Sequence, residues 1–396
     1  MFINNSIYCD NILIVTGESS GDILASYLLK GLRQEGCNWP VWGIGGQRLS
    51  ALGMECVENI DNLAVRGYAE VLPALPRLWL MRRTLMAQAA QRRPRVCITV
   101  DAPDFNLTLA AKLKLMGIPT IHFISPSIWA WRRERLINIK SAIDTMLCVF
   151  PHEVSLYHAV GMRAQYVGHP MAQAIPLTIN RVKAKQNLCD LLLDINQTKL
   201  IPSIITLVAM LPGSRETELN YIFPKQLAAA TLLLKKNIHL HFVVPIVSDS
   251  LMLEAQKYLA KYPDLPLTLL RGQAELILSA ADVGLIASGT ATLEAALYRL
   301  PMVICYNMPH TSWLIMRRKN YLPWVGLPNI LYQESIVPEL LQNAATPAAL
   351  AEAIWSLLQD TQRMVLMREK FSILHQRLYC NTQSLAARAV IRQCIN

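Results

Sequence analysis

Asp101 stands directly after the apolar run Val96–Val100, at the head of Asp101-Ala102-Pro103-Asp104-Phe105-Asn106. A carboxylate set at the end of a strand can take a proton from a hydroxyl as that hydroxyl attacks, so Asp101 is a candidate general base. Pro103 fixes the loop. Asp104 has a plainer reading as the N-cap of the helix that follows. Glu18 occupies a similar place after Ile12–Val15, inside Gly17-Glu18-Ser19-Ser20-Gly21-Asp22. Glycines allow a tight turn there, and a helix N-terminus offers unpaired N–H groups to an anion or a hydroxyl. The same string also reads as an ordinary Ser/Asp helix cap. It is neither a Walker loop nor a full dinucleotide fingerprint. Gly43-Ile44-Gly45-Gly46 is a weaker signal, readable as a tight strand-to-loop turn.

The second half of the chain carries groups suited to a diphosphate. Leu211-Pro212-Gly213-Ser214-Arg215-Glu216 places a Gly213-Ser214 turn beside Arg215, and a guanidinium binds phosphate oxygens bidentately. Ser288-Gly289-Thr290-Ala291-Thr292-Leu293-Glu294 follows an apolar run and opens a helix. The backbone and hydroxyls of Ser288, Gly289 and Thr290 can cradle phosphate there. Glu294 lies one turn below Thr290 on the same face, where it can accept from both hydroxyls of a ribose. A capped helix with a surface glutamate is the plainer alternative. His239 and His241 can share a strand face, but no carboxylate or cysteine cluster supports a metal, so they read as structural.

These groups need elements to hold them. Ile12–Val15, Val96–Val100, Pro119–Ile124 and Met146–Phe150 read as strands, with helices at Asp22–Leu32 and Phe105–Met116. After the Gly168-His169-Pro170 turn and a polar helix-like stretch at Lys183–Lys199, a second series begins. Its strands are Ile204–Met210, His241–Val244, Thr268–Leu270, Val283–Ile286 and Met302–Tyr306. Near-continuous apolar strands alternating with helices predict α/β architecture with parallel sheets covered on both faces. Two such series predict two lobes, and a cleft between lobes is a common place for a ligand.

Leu75–Ala90 reads as a helix opened by Pro76. Leu78, Met81 and Leu85 form one apolar stripe, and Leu75, Trp79 and Met86 form another. Arg77, Arg82, Arg83, Arg92, Arg93 and Arg95 edge it, with no acid from Val71 to Val100. Such a helix suits an anionic membrane surface. It reads equally as a covered helix with solvated arginines.

The 396 residues are 53% hydrophobic and 17% charged, which excludes a disordered polymer. Mean hydropathy is positive, yet the longest apolar stretch, Leu200–Leu211, is broken by Pro202, Ser203 and Thr206 and is too short to span a bilayer. With no secretory signal visible, a cytoplasmic protein touching a membrane from inside is expected. The nine scattered cysteines fit free thiols in a reducing compartment. The net charge of +10 calls for an anionic partner. Arg132, Arg133, Arg135, Arg317, Arg318 and Lys319 lack the aromatic interleaving of a single-strand groove, so nucleic acid is not expected.

Together these strings resemble the lipid-A-disaccharide synthases, bacterial glycosyltransferases of the GT-B fold. The likeness also takes in Gly168-His169, Leu327-Pro328-Asn329 and Ser125-Pro126-Ser127-Ile128-Trp129-Ala130-Trp131-Arg132; the last string and Asp101–Asn106 are the most specific. It implies two Rossmann-like lobes facing a cleft: an acceptor lobe over 1–170 and a UDP-sugar lobe over 171–375, with a helix in about 376–396 packing back on the first. It implies transfer from UDP-2,3-diacylglucosamine to 2,3-diacylglucosamine 1-phosphate (lipid X), with inversion and without metal or cofactor. The products are a β-1,6-linked disaccharide 1-phosphate and UDP. By position Asp101 would be the base and Glu18 a second essential carboxylate. Gly213, Ser214, Arg215, Ser288, Gly289, Thr290 and Glu294 would hold the donor, and Asn329 would complete its pocket. Leu75, Leu78, Trp79, Arg82 and Arg83 would meet the acceptor or the inner-membrane surface. The resemblance leaves room for a homodimer. Arg66, Tyr68 and His152 depart from the family pattern, His152 standing where phenylalanine is usual. Two other readings remain: the same fold with an unacylated sugar substrate, as in the peptidoglycan N-acetylglucosaminyltransferase or a UDP-sugar epimerase, and a non-catalytic peripheral membrane protein.

Overall fold

The computed structural model describes residues 9–395 except 18, 61–62, 64–67, 130–132, 197–200, 202, 238, 310–312 and 314–321, with backbone only at 19–20, 68–74 and 196. The chain divides into two units: Met1–Ala174 with Leu378–Asn396, and Ile175–Arg377.

The first unit runs β1 (Cys9–Thr16), α1 (Ser19–Gln34), β2 (Val41–Gly45), α2 (Gln47–Ala51), β3 (Glu55–Asn59), α3 (Tyr68–Arg92), β4 (Pro94–Val100), α4 (Pro103–Leu115), β5 (Thr120–Phe123), α5 (Arg135–Ala142), β6 (Thr145–Cys148), α6 (Glu153–His158), β7 (Arg163–Tyr166) and α7 (Pro170–Ala174). Its sheet is parallel, in the order β3-β2-β1-β4-β5-β6-β7. Ile12–Val15 of β1 and Val96–Val100 of β4 are fully buried because helices cover both faces. Leu13, Trp42, Leu85, Leu109 and Leu113 belong to one core cluster, and Ala110, Ile139, Met146 and Tyr157 to another.

The C-terminal helix Thr382–Ile395 belongs to this unit and packs on α1. Glu35, in the turn just past α1, accepts from Arg388 Nε at 2.9 Å, and Ser384 Oγ also donates to it. A Cβ on Gly31 would stand 2.2 Å from the Gln383 carbonyl oxygen, so the approach requires glycine. The first unit extends past the Gly168–Pro170 turn because α7 also meets this segment: Gln173 Oε1 accepts from Gln383 N at 3.4 Å.

The second unit runs α8 (Arg181–Asn196), β8 (Thr206–Leu211), α9 (Glu216–Leu234), β9 (Leu240–Ile246), α10 (Asp249–Leu259), β10 (Leu267–Arg271), α11 (Ala274–Ala280), β11 (Val283–Ala287), α12 (Thr290–Leu297), β12 (Met302–Tyr306), α13 (Leu327–Tyr332), β13 (Glu339–Leu341), α14 (Pro347–Gln359) and α15 (Thr361–Leu378). Its sheet is parallel in the order β10-β9-β8-β11-β12-β13.

Two expectations change. Pro76 lies inside α3, which already begins at Tyr68. Asp104 is not an N-cap: α4 starts at Pro103, Ala102 holds the cap position in left-handed backbone, and Asp104 is exposed and paired with Arg135 at 2.5 Å. Proline at the first helical position needs no N–H partner, which moves the helix start ahead of Asp104. Among the described residues no helix is long and apolar enough to cross a membrane, and no group of His, Cys, Asp and Glu is arranged to hold a metal ion.

Candidate active site

Each sheet reverses its strand order once, between β1 and β4 in the first unit and between β8 and β11 in the second. Open α/β sheets take ligands outside the carboxyl ends of the strands at such a point. The four loops singled out from sequence follow these four strands.

In the first unit, the Gly17–Gly21 loop lies against Asp101-Ala102. A Cβ on Gly17 would stand 1.9 Å from the Cβ of Ala102, and one on Gly21 would stand 3.7 Å from the Cβ of Asp101. Asp101 and Ala102 hold φ of 56° and 43°, and Ile124, just past β5, holds 77°. Left-handed backbone is costly for residues other than glycine, most of all β-branched ones, and such strain gathers at functional sites. Buried Asn106 fixes the turn: its Nδ2 donates to the carbonyls of Asp101 (2.7 Å), Val100 (3.3 Å) and Val15 (3.5 Å). That binds the carboxyl ends of β1 and β4 together behind the half-buried Asp101. Asp22 does not cap its own helix. Its buried carboxylate accepts from the N–H groups of Gly46 (2.8 Å), Arg48 (3.0 Å) and Leu49 (3.4 Å), capping α2 and tying the two glycine strings to each other. Glu18 and Arg66 lie outside the described residues, as does the Tyr68 side chain.

The Ser125–Arg132 string follows β5; its Ala130, Trp131 and Arg132 lie outside the described residues. Its described part packs onto the loop after β6. Trp129 meets Phe150 edge-on at 6.2 Å and His152 at 5.1 Å, and His152 stacks on Phe150 at 5.8 Å. His152 thus does a phenyl ring's work; burial pushes its pKa down, and its Nε2 has no partner among the described residues.

In the second unit, Gly213 holds φ of 117°, and a Cβ there would meet the Glu218 carboxylate at 2.4 Å. Glu218 accepts from the N–H groups of Ser214 (2.9 Å) and Arg215 (3.3 Å), a capping box that sets the shape of the turn. Arg215 is exposed and touches Glu218 at 3.4 Å. Gln226, fully buried in α9, donates to Leu285 O (3.0 Å) and Leu211 O (3.4 Å), tying the end of β8 to the middle of β11 much as Asn106 ties β1 to β4. Gly289, with φ of 146°, and Thr290 are exposed at the start of α12. Ser288 Oγ donates to Val325 O at 3.2 Å. Glu294 is half-buried; burial, then the charge of Glu275, holds its carboxyl above the usual range.

Asn329 requires a correction. Its side chain is fully buried and committed within the fold: Nδ2 donates to Val337 O and to Glu339, and Oδ1 accepts from Ile336 N and Val337 N, all at 2.8 Å. It shapes the 325–339 connection rather than facing a ligand. Glu339 helps, accepting from the N–H groups of Val325 (2.9 Å) and Gly326 (3.0 Å). The local sequence did not signal Glu339, Gln226 or Glu218.

On α3, Met81 and Leu85 are buried. Leu78 packs on the core, and Arg82 lies over the Phe105 ring at 4.9 Å, so both turn inward rather than outward. Leu75, Trp79 and Leu80 are about half exposed at 50%, 55% and 58%, and Arg83 covers Trp79 at 5.5 Å. His241 is buried against Thr268 at 3.0 Å, with its pKa pushed down to about 4 by burial. His239 precedes β9 and is exposed, so the pair forms no metal site.

A profile of the family described as lipid-A-disaccharide synthetase matches residues 12–390. The lipid-A-disaccharide synthase of Chromobacterium violaceum is 44% identical over 382 residues, covering 96% of each chain. That of Methylobacillus flagellatus is 40% identical over 380 residues, covering 96% of this chain and 98% of its own. Among solved structures, Acinetobacter baumannii MurG is similar with a TM-score of 0.58 at 14% identity, over 96% of this chain and 99% of its own. The UDP-GlcNAc 2-epimerase of Neisseria meningitidis gives 0.62 at 11% identity, over 97% and 99%. Likenesses at such low identity carry the fold alone.

Proposed function

The chain belongs to the lipid-A-disaccharide synthetase family, and from that premise we propose how its residues divide the reaction. The sugar of UDP-2,3-diacylglucosamine passes to lipid X. The acceptor hydroxyl oxygen attacks the anomeric carbon, its proton goes to the Asp101 carboxylate, and the bond from that carbon to the diphosphate oxygen breaks with inversion. UDP leaves, and the β-1,6-linked disaccharide 1-phosphate remains. The observation that carries the assignment of the base is the strained turn at Asp101, held by Asn106 at the strand-order reversal of the first unit. A fold that tolerates such strain there supports a role for the side chain it aims.

The second unit would take the donor. The exposed Ser214 hydroxyl and Arg215 guanidinium at the Gly213 turn would face the diphosphate, joined by Ser288, Gly289 and Thr290 at the α12 N-terminus. Such fixed donors can stabilise departing UDP without a cation. Glu294 would accept from the ribose hydroxyls. Glu18 would be the second carboxylate, on the resemblance alone. Leu75, Trp79 and Leu80, with Arg83, would rest on the cytoplasmic face of the inner membrane, where acylated substrates reside.

The test is Asp101→Asn with both diacyl substrates. UDP release should fall by on the order of a hundredfold or more, the range for a lost general base, while UDP still binds. An Asn variant that turns over normally would remove Asp101 from the role. Efficient turnover of unacylated UDP-N-acetylglucosamine by the wild type would overturn the acylated donor.

A further inference from the structure

Glu153 opens α6, yet its side chain is only 1% exposed. Its two oxygens serve two different loops. Oε1 accepts from the Trp129 indole N–H at 3.0 Å, in the string that follows β5. Oε2 accepts from Phe150 N at 3.0 Å, in the loop that follows β6. The Ser125 hydroxyl also bonds it while lying 2.7 Å from the Tyr157 hydroxyl. Among the described residues no lysine or arginine pairs with Glu153, and the donors it accepts from there are neutral. Burying an unpaired carboxylate is among the most expensive choices a core can make. What it provides here is one acceptor shared by two loops at the carboxyl ends of adjacent strands. The strand before the first loop, β5, pairs with β4, and Asp101 N donates to Phe123 O at 3.4 Å.

We propose that Glu153 is a positioning residue for glycosyl transfer: it holds the Ser125–Trp129 loop beside the Asp101 turn and thereby sets the affinity for the acceptor. The proposal rests on the assignment of the first unit to the acceptor. Burial pushes the Glu153 carboxyl up to about 7, against the lowering pull of the Phe150, Trp129, Ser125 and Val149 donors. The titratable groups packed near it stay neutral around that pH. Burial raises Cys148 of β6 and Tyr157 of α6, and lowers His152 and His169. Protonation turns one acceptor oxygen into a donor facing donors, which loosens the brace. Acceptor binding should therefore weaken as pH falls through 7. Global stability should move the other way. A carboxyl whose folded pKa lies above its unfolded value binds more protons when folded, so its contribution to stability falls as pH rises through that window.

The experiment compares wild type with Glu153→Gln in steady-state kinetics between about pH 6 and 8, spanning the shift. The wild-type KM for the acceptor should rise about tenfold toward the acid end, the size expected for losing one charge-assisted hydrogen bond. The Gln variant should show a raised KM without that slope, and UDP should bind both proteins alike. A Gln variant with the wild-type acceptor KM and slope would overturn the proposal. So would one whose donor and acceptor KM rise together. Hydrogen exchange on the full chain without substrates gives an independent answer: amides of 125–129 should exchange faster in the variant and those of 213–218 should not. Unchanged exchange at 125–129 would also overturn it. Failure of the wild type to release UDP would sink the functional reading alone, since the exchange comparison still decides whether Glu153 braces the loop.

Discussion

The His152 ring sits where its shape is used and its chemistry is not. It packs against Trp129 and Phe150 while its Nε2 stays buried without a partner among the described residues. His152→Phe should keep the packing and remove the orphaned nitrogen, raising stability by about 1 kcal/mol; thermal unfolding checks this, and a lower Tm would mean that the nitrogen has a use. Asn329 is the opposite case, because both ends of its amide are spent on four bonds. Asn329→Asp would withdraw two donors and set a carboxylate beside Glu339, costing about 3 kcal/mol or more, read as a lower denaturant midpoint with UDP affinity falling in step. The place of Asp101 at a strand end was legible because it directly follows an apolar run. The bracing contacts of Asn106, Glu153, Gln226 and Glu339 were not, because each is defined by partners in other loops, helices or strands. No local pattern announces such partners.

Secondary structure was legible where strands are buried on both faces and obscure at the sheet edges. β1, β4, β8 and β11 carry near-continuous apolar runs. The strands β3 (Glu-Cys-Val-Glu-Asn) and β7 (Arg-Ala-Gln-Tyr) lie at the two sheet edges, largely half-buried or exposed, and have no apolar run to read. The same logic governs α3. Its buried face is an ordinary core stripe, whereas Leu75, Trp79 and Leu80 leave an apolar edge uncovered. Trp79→Glu with Leu80→Glu should therefore leave Tm nearly unchanged and weaken flotation with anionic vesicles by about tenfold or more, from lost apolar burial and added like-charge repulsion. Equal flotation would remove α3 from the membrane surface. Between α1 and the C-terminal helix the constraint is steric. Gly31→Ala places a Cβ 2.2 Å from the Gln383 carbonyl, so the helices must separate. A loss of about 2 kcal/mol is expected, in the range for overpacking, and denaturant unfolding measures it.

At the scale of the whole molecule, each unit has a sheet of its own, and the strand-order reversal recurs in both. The sequence showed two alternating series, and that repetition made the two-unit plan readable. The return of the C-terminal helix was expected from the family resemblance alone, and the place of α7 was not expected at all, since both join the first unit through long-range contacts such as Gln173 with Gln383. If the second unit alone grips the nucleotide, UDP must leave a footprint with the same boundary. Amides at 213–218 and 288–294 should gain protection on UDP binding, because bound anions order helix N-termini and ligand binding suppresses local opening. Amides at 101–106 and 125–129 should gain none from UDP, since the nucleotide lacks the acceptor whose hydroxyl Asp101 is proposed to serve. Hydrogen exchange followed by mass spectrometry reads both sets at once. Protection at 101–106 with none at 288–294 would reverse the assignment of donor and acceptor, whereas Arg215→Ala should erase the 213–218 footprint and leave Asp101 chemistry to be tested at saturating donor.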